Sequence, residues 1–520
     1  MKTHASSWLE RVGDFVNRKP AFVVVFYTLI YFALTLPTAA LKPFWYDELF
    51  TWAVATRSSV AEVLAVLRQG WDLQPPFYFL LVRAGRALAD SELGIRLPSV
   101  VGLWLGSLCL YFHMRRLIPP VFAASALFLP WATMVAPLAV EARPYALLFC
   151  FASAALLCWS ESLTTGSRWP LAGLFLSLVA VSTVHYYGFT AFVALGAGEI
   201  VHSVLRRRVR WGVWGLMALA CVPAALHWPL VHDSMESAAE GAWNAPHLSL
   251  LMEVYLPGKS NVTIGLLAIA LTALLSLRGS GKSAIPGEIV AVWVVTLLAP
   301  AIDLAIAFGI SGMISERYAL FWYAGVIAAL LYSVARLVDQ DVRAGALLLA
   351  VTAGLFVVME VRGIRHAVQE RRQMDQALAE VGGLLSEQRF LTLPLVVTDA
   401  FLAFQLYHYA PESVRERLVY VADADLQPPG SPHYSIDHGD LQPPGSPHSI
   451  DHGPPLINEL GFPMSIRRAA EFYGAADRFL LAYAELWGGA AMIRIREHGC
   501  ALTPAGVWNG QTLYLVEHCN

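Results

Sequence analysis

Charge is what this chain has least of. Asp, Glu, Lys and Arg together make up 14% of its 520 residues, where a soluble globular domain carries about 25%. The formal net charge is −3, and basic residues never run beyond short loops. That removes the electrostatic footprint a nucleic-acid-binding surface needs, so no nucleic-acid partner is expected. Cysteine is scarce too, with six in the whole chain, which excludes a disulfide-dense scaffold. Cys109, Cys150, Cys158 and Cys221 fall in apolar runs and read as packing residues. Cys500 and Cys519 lie beyond the last such run. If 491–500 and 512–519 form one hairpin, Cys500 sits near the turn and Cys519 at the far end, which argues against a bridge between them. Metal ligands are equally thin: His185, His232 and His247 stand far apart, with no dense cluster around them.

What is abundant is apolar sequence. Hydrophobic residues reach 57% and the mean hydropathy is +0.53. The 16 Trp and 19 Tyr suit aromatic belts at membrane interfaces. The chain reads as an α-helical polytopic membrane protein with a soluble part attached. About 20 apolar residues cross a bilayer, and eleven spans can be drawn: 20–40, 97–114, 121–140, 144–160, 170–187, 188–205, 211–230, 261–278, 286–308, 318–335 and 344–361. Alternate connections hold Lys2, Arg11, Arg18 and Lys19; Arg115 and Arg116; Arg168; Arg206, Arg207, Arg208 and Arg210; Arg278 and Lys282; Arg336 and Arg343. Cytoplasmic loops carry the excess of Lys and Arg. The N-terminus is therefore expected inside and everything after residue 361 outside the cytoplasmic membrane.

Residues 1–40 share features with a secretory signal, among them Thr38, Ala39 and Ala40. The apolar stretch is nevertheless of full span length and ten spans follow, so an uncleaved first helix is expected. Residues 75–90, with Arg83 and Arg86, are too short to cross. They predict an amphipathic helix on the outer surface, with Pro75 and Pro76 tolerated in its first turn. The first outer loop, 41–96, is then a built structure on the membrane face.

Beyond the spans the pattern changes. Residues 1–361 form the membrane module and 362–389 a connecting helix. Residues 390–520 alternate short apolar runs (395–398, 418–422, 479–482, 492–495 and 513–516) with helical stretches at 400–410 and 465–476. Strands alternating with helices predict a small extracytoplasmic α/β domain, suited to binding an acceptor or shaping access to a site. Inside it, 425–439 and 440–453 are a tandem duplication differing by Tyr434. Two copies make no solenoid, and their Pro, Gly and Ser content makes a loop. His433, His438, His448 and His452 with Asp437 and Asp451 could capture a metal, but recent duplication explains their near-identity more simply.

The outer ends collect the chemistry. Residues 44–51 read FWYDELFT, placing Asp47 and Glu48 just beyond the first span, where adjacent acids are costly unless they work there. Trp71, Gln74, Glu92, Arg96, Glu141, Arg143, Tyr145, His185, Tyr186, Tyr187, Glu316, Arg317 and Tyr318 lie at the outer ends of other spans and loops and could converge at one depth. Acids, arginines and tyrosines at one face suit deprotonation of a hydroxyl by a carboxylate while arginine steadies a departing phosphate. The bland alternative makes Arg143 and Arg317 lipid-headgroup anchors and His-Tyr-Tyr an aromatic belt. Asp303, near the outer end of span nine, either joins this set or pairs with a neighbouring helix. A transporter or flippase of lipid-linked sugars would instead place ionisable groups at the midplane on interrupted helices, and none is evident. A non-catalytic envelope scaffold remains the third option.

FWYDELFT, QPPFYFLL, SELGIRLPS, EARPYALL, HYYGFTAF and SERYALFW occur in the order seen in GT-C membrane glycosyltransferases. Over roughly 1–360 the chain resembles bacterial relatives of the protein O-mannosyltransferases and of the lipid A aminoarabinose transferase. The resemblance implies an inverting transfer of a sugar from a polyprenyl-monophosphate carrier to a hydroxyl acceptor in the cell envelope, beside membrane lipid. It makes Asp47 the catalytic base, with Glu48 shaping the acceptor site and Glu141 as the second acid. Arg96, Arg143, Arg317 and Tyr318 would face the carrier phosphate, and Gln74, Tyr145, His185 and Tyr186 would line the substrate site. Relatives commonly carry His, or an acid followed by Lys, ahead of the paired prolines. Gln74 brings no charge there, so no cofactor is expected to be required, a divalent metal being the less favoured alternative.

Overall fold

Apolar runs fold as helices here because backbone surrounded by hydrocarbon must satisfy its own hydrogen bonds. The computed structural model describes residues 4–68, 72, 74–232, 245–255, 285–422, 465–468, 472, 476, 478–482, 495, 498–508 and 511–517. Five described helices are long and apolar enough to cross a membrane: Pro20–Leu41, Glu92–Met114, Tyr145–Ser162, Tyr186–Arg206 and Val342–Leu385. A bent pair, Gly287–Leu297 with Ala299–Ser311, makes a sixth. Trp169–Val184, Trp211–Ala225 and Trp322–Leu337 are shorter apolar helices at expected spans. The protein is a multi-pass membrane protein. Trp71, the span expected at 261–278 and the duplicated loop at 425–453 lie outside the described residues.

Contacts divide the chain into two units. One comprises 1–40, 74–229 and 246–365; the other comprises 41–73, 230–245 and 366–520. The loop drawn over 41–96 is thus shared between them. The connecting helix expected at 362–389 is no separate element. It continues the last span as one 44-residue helix, Val342–Leu385.

In the first unit, the span expected at 121–140 is not a regular helix. Pro120–Ala123 is followed by 3-10 turns at Ala124–Leu127, Leu129–Ala132 and Pro137–Val140. Pro130 and Pro137 supply no amide hydrogen to a helical ladder, which explains the breaks. The segment still travels the full thickness. Arg116 pairs with Glu161 at 3.2 Å, while the Ser99 hydroxyl donates to the Arg143 carbonyl at 3.1 Å. Glu92–Met114 and Tyr145–Ser162 therefore run parallel, and 117–143 must carry the chain back between them. Exposed irregular backbone would not survive in lipid, and residues 121–131 are buried throughout. The Trp131 indole donates to Glu360 of the long helix at 2.5 Å.

A second interruption bends Gly287–Leu297 against Ala299–Ser311 by 53°, beside Pro300. Interrupted helices are thus present where none was evident from sequence.

The contacts sort the connections into two ends. Arg343 bonds Glu10 at 3.0 Å, and the Val121 amide donates to Asn17 at 3.0 Å. Arg210 holds Glu199 and donates to the Ser162 carbonyl and hydroxyl at 3.1 Å. His202 meets Glu288 at 3.3 Å. These basic connections share one end with Arg116 and Glu161. The opposite end gathers Ala39, Arg96, Ser99, Arg143 and His185.

The parallel pair approaches closely through Gly102 and Gly106, a G-x-x-x-G spacing that presents backbone to the neighbour. A Cβ at Gly106 would lie 2.7 Å from a Phe149 ring carbon and 3.0 Å from the Cys150 Cα.

The second unit holds a six-stranded sheet in the order β3-β2-β1-β4-β6-β5. Its strands are β1 Leu395–Val397, β2 Leu418–Ala422, β3 Ser465–Arg468, β4 Arg478–Ala482, β5 Ala501–Trp508 and β6 Gln511–Glu517. The first four pair in parallel, and β6 is antiparallel to β4 and β5. Ser465–Arg468, expected to be helical, is a strand because it completes the edge beside β2. Residues 492–494 lie outside the described residues. The real hairpin is 501–517, joined by Asn509-Gly510, a dipeptide suited to a two-residue turn. Ala501 pairs with Glu517, so Cys500 sits at the open end rather than near the turn. Cys500 is disulfide-bonded, which corrects the argument against a bridge; its partner lies outside the described residues.

Replacing Gly106 by Leu should overpack the parallel pair and cost roughly 1–3 kcal/mol, read as a lower melting midpoint in detergent. Gly215→Leu, where nothing lies within 4 Å, should leave the midpoint nearly unchanged.

Candidate active site

The motif residues of the membrane unit converge because each sits where a helix ends. Trp169–Val184 stops at His185, which turns to extended backbone before the short 3-10 turn Tyr186–Gly188. The break points both His185 and Tyr187 inward. The Tyr187 amide donates to His185 Nδ1 at 3.2 Å. A ring nitrogen that accepts leaves the proton on the other one, so Nε2–H is the donor in this neutral tautomer. His185 is 3% exposed, and its Nε2 has no hydrogen-bond partner among the described residues.

Aromatic rings wall this donor. The His185 ring lies 4.8 Å from Tyr318 and 5.6 Å from Tyr145. Tyr145 and Tyr318 stack at 6.2 Å, and Tyr187 lies 5.3 Å from Tyr318. Tyr318 is presented by a 3-10 turn, Glu316–Ala319, that also carries half-buried Arg317. Glu141-Ala142-Arg143-Pro144 is a tight turn: the Arg143 amide donates to the Glu141 carbonyl at 2.8 Å. Ser99 anchors that turn to the helix Glu92–Met114. Arg143 lies close enough to act electrostatically on His185. Glu141 stays half-buried at the turn.

One predicted residue, Tyr186, turns away from the cluster. Arg96 is fully buried and donates to the Ala39 carbonyl at 2.8 Å, tying the first span to the SELGIRLPS helix. Gln74 is buried as well. The Tyr186 ring faces His227 at 6.4 Å instead of the cluster, and Tyr187 occupies the inward place. Tyr187's hydroxyl meets Ser311 at 2.7 Å and donates to the Met313 carbonyl at 2.5 Å. Only the helix break distinguishes the two tyrosines, and apolar periodicity does not reveal it. Asp303 is fully buried and accepts from the Thr190 hydroxyl. That bond settles the two readings offered for Asp303: it pairs with a neighbouring helix.

Asp47 and Glu48 belong to the other unit. They open the helix Tyr46–Ala55, where the helix dipole favours negative charge. Glu48 is fully buried and its Oε2 accepts from the Trp45 amide at 3.3 Å, half of a capping box. Asp47 remains half-exposed. Burial pushes the Tyr46 phenol well up, and Tyr420, Asp47 and Asp399 add to that effect.

The Thr190–Asp303 bond yields a stability test. Thr190→Val strands a buried carboxyl and should cost roughly 1–3 kcal/mol, whereas Thr190→Ser should hold the native melting midpoint.

No protein-family model matches this chain, and no curated protein does. Several solved structures resemble it. One is ArnT from Cupriavidus metallidurans bound to undecaprenyl phosphate, 12% identical, covering 95% of this chain and 97% of that one, with a TM-score of 0.57. The apo state of the same protein gives 14% identity, the same coverage and a TM-score of 0.47. An Archaeoglobus fulgidus oligosaccharyltransferase, in complex with Zn and sulfate, gives 11% identity, 76% and 62% coverage, and a TM-score of 0.43. The likeness to the first runs almost end to end, and the chain shares the fold of that protein.

Proposed function

We propose that this chain is an inverting glycosyltransferase. It moves a sugar from a polyprenyl-monophosphate carrier to a hydroxyl acceptor on the outer face of the cytoplasmic membrane. The observation that carries this reading is the His185 Nε2–H: a neutral donor buried among aromatic rings beside Arg143, with no hydrogen-bond partner among the described residues. Such a pair suits an anionic oxygen, because fixed donors act more strongly where water is excluded. The GT-C fold is shared with a protein crystallised with undecaprenyl phosphate, which favours a polyprenyl phosphate as the anion.

Orientation follows from charge. The end holding Arg116, Arg210 and Arg343 is assigned to the cytoplasm, and the His185 end to the outside. The disulfide at Cys500 suits an oxidising compartment.

In the proposed reaction, Asp47 takes the acceptor proton as its oxygen attacks the anomeric carbon opposite the phosphate. The carbon–phosphate oxygen bond breaks with inversion, and the departing phosphate is held by Arg143, Arg317, the Tyr318 hydroxyl and His185. Glu48, whose Oε2 also closes the helix cap, shapes the acceptor site beside Asp47, and Glu141 serves as the second acid. Tyr145 and Gln74 line the sugar site. We infer that no metal takes part; transfer that survives EDTA would support this, and loss restored by a divalent cation would sink it.

The test is transfer of label from radiolabelled polyprenyl-phosphate sugars in membranes. Asp47→Asn should abolish transfer at unchanged expression. His185→Phe, which keeps a ring but removes the donor, should lower kcat/KM for the carrier by about 10- to 100-fold. Native protein that binds carrier yet transfers nothing would favour transport of lipid-linked sugars instead.

A further inference from the structure

The FWYDELFT segment is held by the C-terminal part of the chain. Within the second unit, the helix Tyr46–Ala55 packs on the helix Ala400–Tyr409, which follows β1. Tyr46 and Phe50, one turn apart, meet Phe404 at 6.4 and 5.2 Å, and Tyr46 meets Phe401 at 6.0 Å. The His408 ring lies 5.4 Å from Phe44 and 4.6 Å from Trp52. At the point where the chain enters the helix, the Phe44 amide donates to the Tyr409 hydroxyl at 2.6 Å. Phe44 is 1% exposed, so this amide has no water to fall back on, and a buried amide left bare is costly.

The neighbouring amides are also committed. Trp45 donates to Glu48, and the Glu48 and Leu49 amides donate to the Trp45 carbonyl. Asp399 caps the supporting helix by accepting from the Leu402 amide at 2.7 Å. The start of the Asp47 helix is thus fixed from both sides, and one of those sides is a hydroxyl 365 residues away in sequence.

We propose that Tyr409 is a positioning residue for the Asp47 carboxylate, and that aiming it is the task of the C-terminal domain. This rests on Asp47 being the base. A carboxylate aimed by its helix loses rate when that helix start loosens, because proton abstraction demands hydrogen-bond reach to the acceptor. The carrier, bound by other groups, should be held as before.

Transfer kinetics of the full-length Tyr409→Phe protein test this, normalised to folded protein. The expected result is kcat lowered about tenfold, carrier KM within twofold of native, and a shifted acid limb of the pH–rate profile. Should Tyr409→Phe fail to fold, His408→Leu, which removes the ring between Phe44 and Trp52, is read in the same way. A variant with a lower melting midpoint but native kcat and pH profile would make the bond merely structural and overturn the inference. Asp47→Asn run alongside separates the two failures. If it is inactive while Tyr409→Phe is native-like, positioning alone falls; if it is active, the base assignment falls and takes positioning with it.

Discussion

Backbone that leaves a helix inside hydrocarbon has to be covered by protein, and residues 121–131 of the irregular return segment are buried throughout. The segment's prolines forbid a continuous ladder, yet the chain must return across the membrane so that two helices can run side by side in one direction. Burial on all sides is the only arrangement that tolerates such a crossing. The Trp131–Glu360 bond and the tight Gly102/Gly106 seam follow from it. So does the turn that delivers Arg143 to His185, because that turn is where the irregular segment emerges.

The polar groups divide by how wet their tasks are. His185 is kept neutral and pre-aimed by a backbone amide, at the centre of rings that exclude solvent. Lowering the local dielectric strengthens a fixed donor's hold on negative charge. Asp47 is less buried: it stands half-buried on the first turn of a short helix, while the fully buried Glu48 helps close that turn. Two adjacent acids of one motif therefore have unlike surroundings.

Much of this architecture is legible in sequence because hydrophobic length and Lys/Arg asymmetry are averages over many residues. The first span, the helices from 92 and 145, and the helix after paired Pro75-Pro76 all fall near their expected places. Single-residue decisions were harder. Pro130 and Pro137 sit within an apolar run, and hydropathy cannot tell a helix from a buried string of turns. Of the adjacent pair Tyr186 and Tyr187, the inward one is chosen by where Trp169–Val184 stops. Asn509-Gly510 was the readable signal for the hairpin, and overlooking it displaced Cys500 from the open end to the turn. The union of residues 41–73 with the C-terminal sheet could not be seen at all, since aromatic side chains in both segments carry no mark of their partner.

That union has a consequence for biosynthesis. The helix bearing Asp47 is made early, and its aromatic face is completed only by the helix Ala400–Tyr409. With chain growth at about 5–20 residues per second, the 365 residues separating Phe44 from Tyr409 impose a delay of about 20–70 s. During that interval Phe44, Tyr46, Phe50 and Trp52 have no finished surface to rest on. An element made early is therefore among the last whose packing is completed.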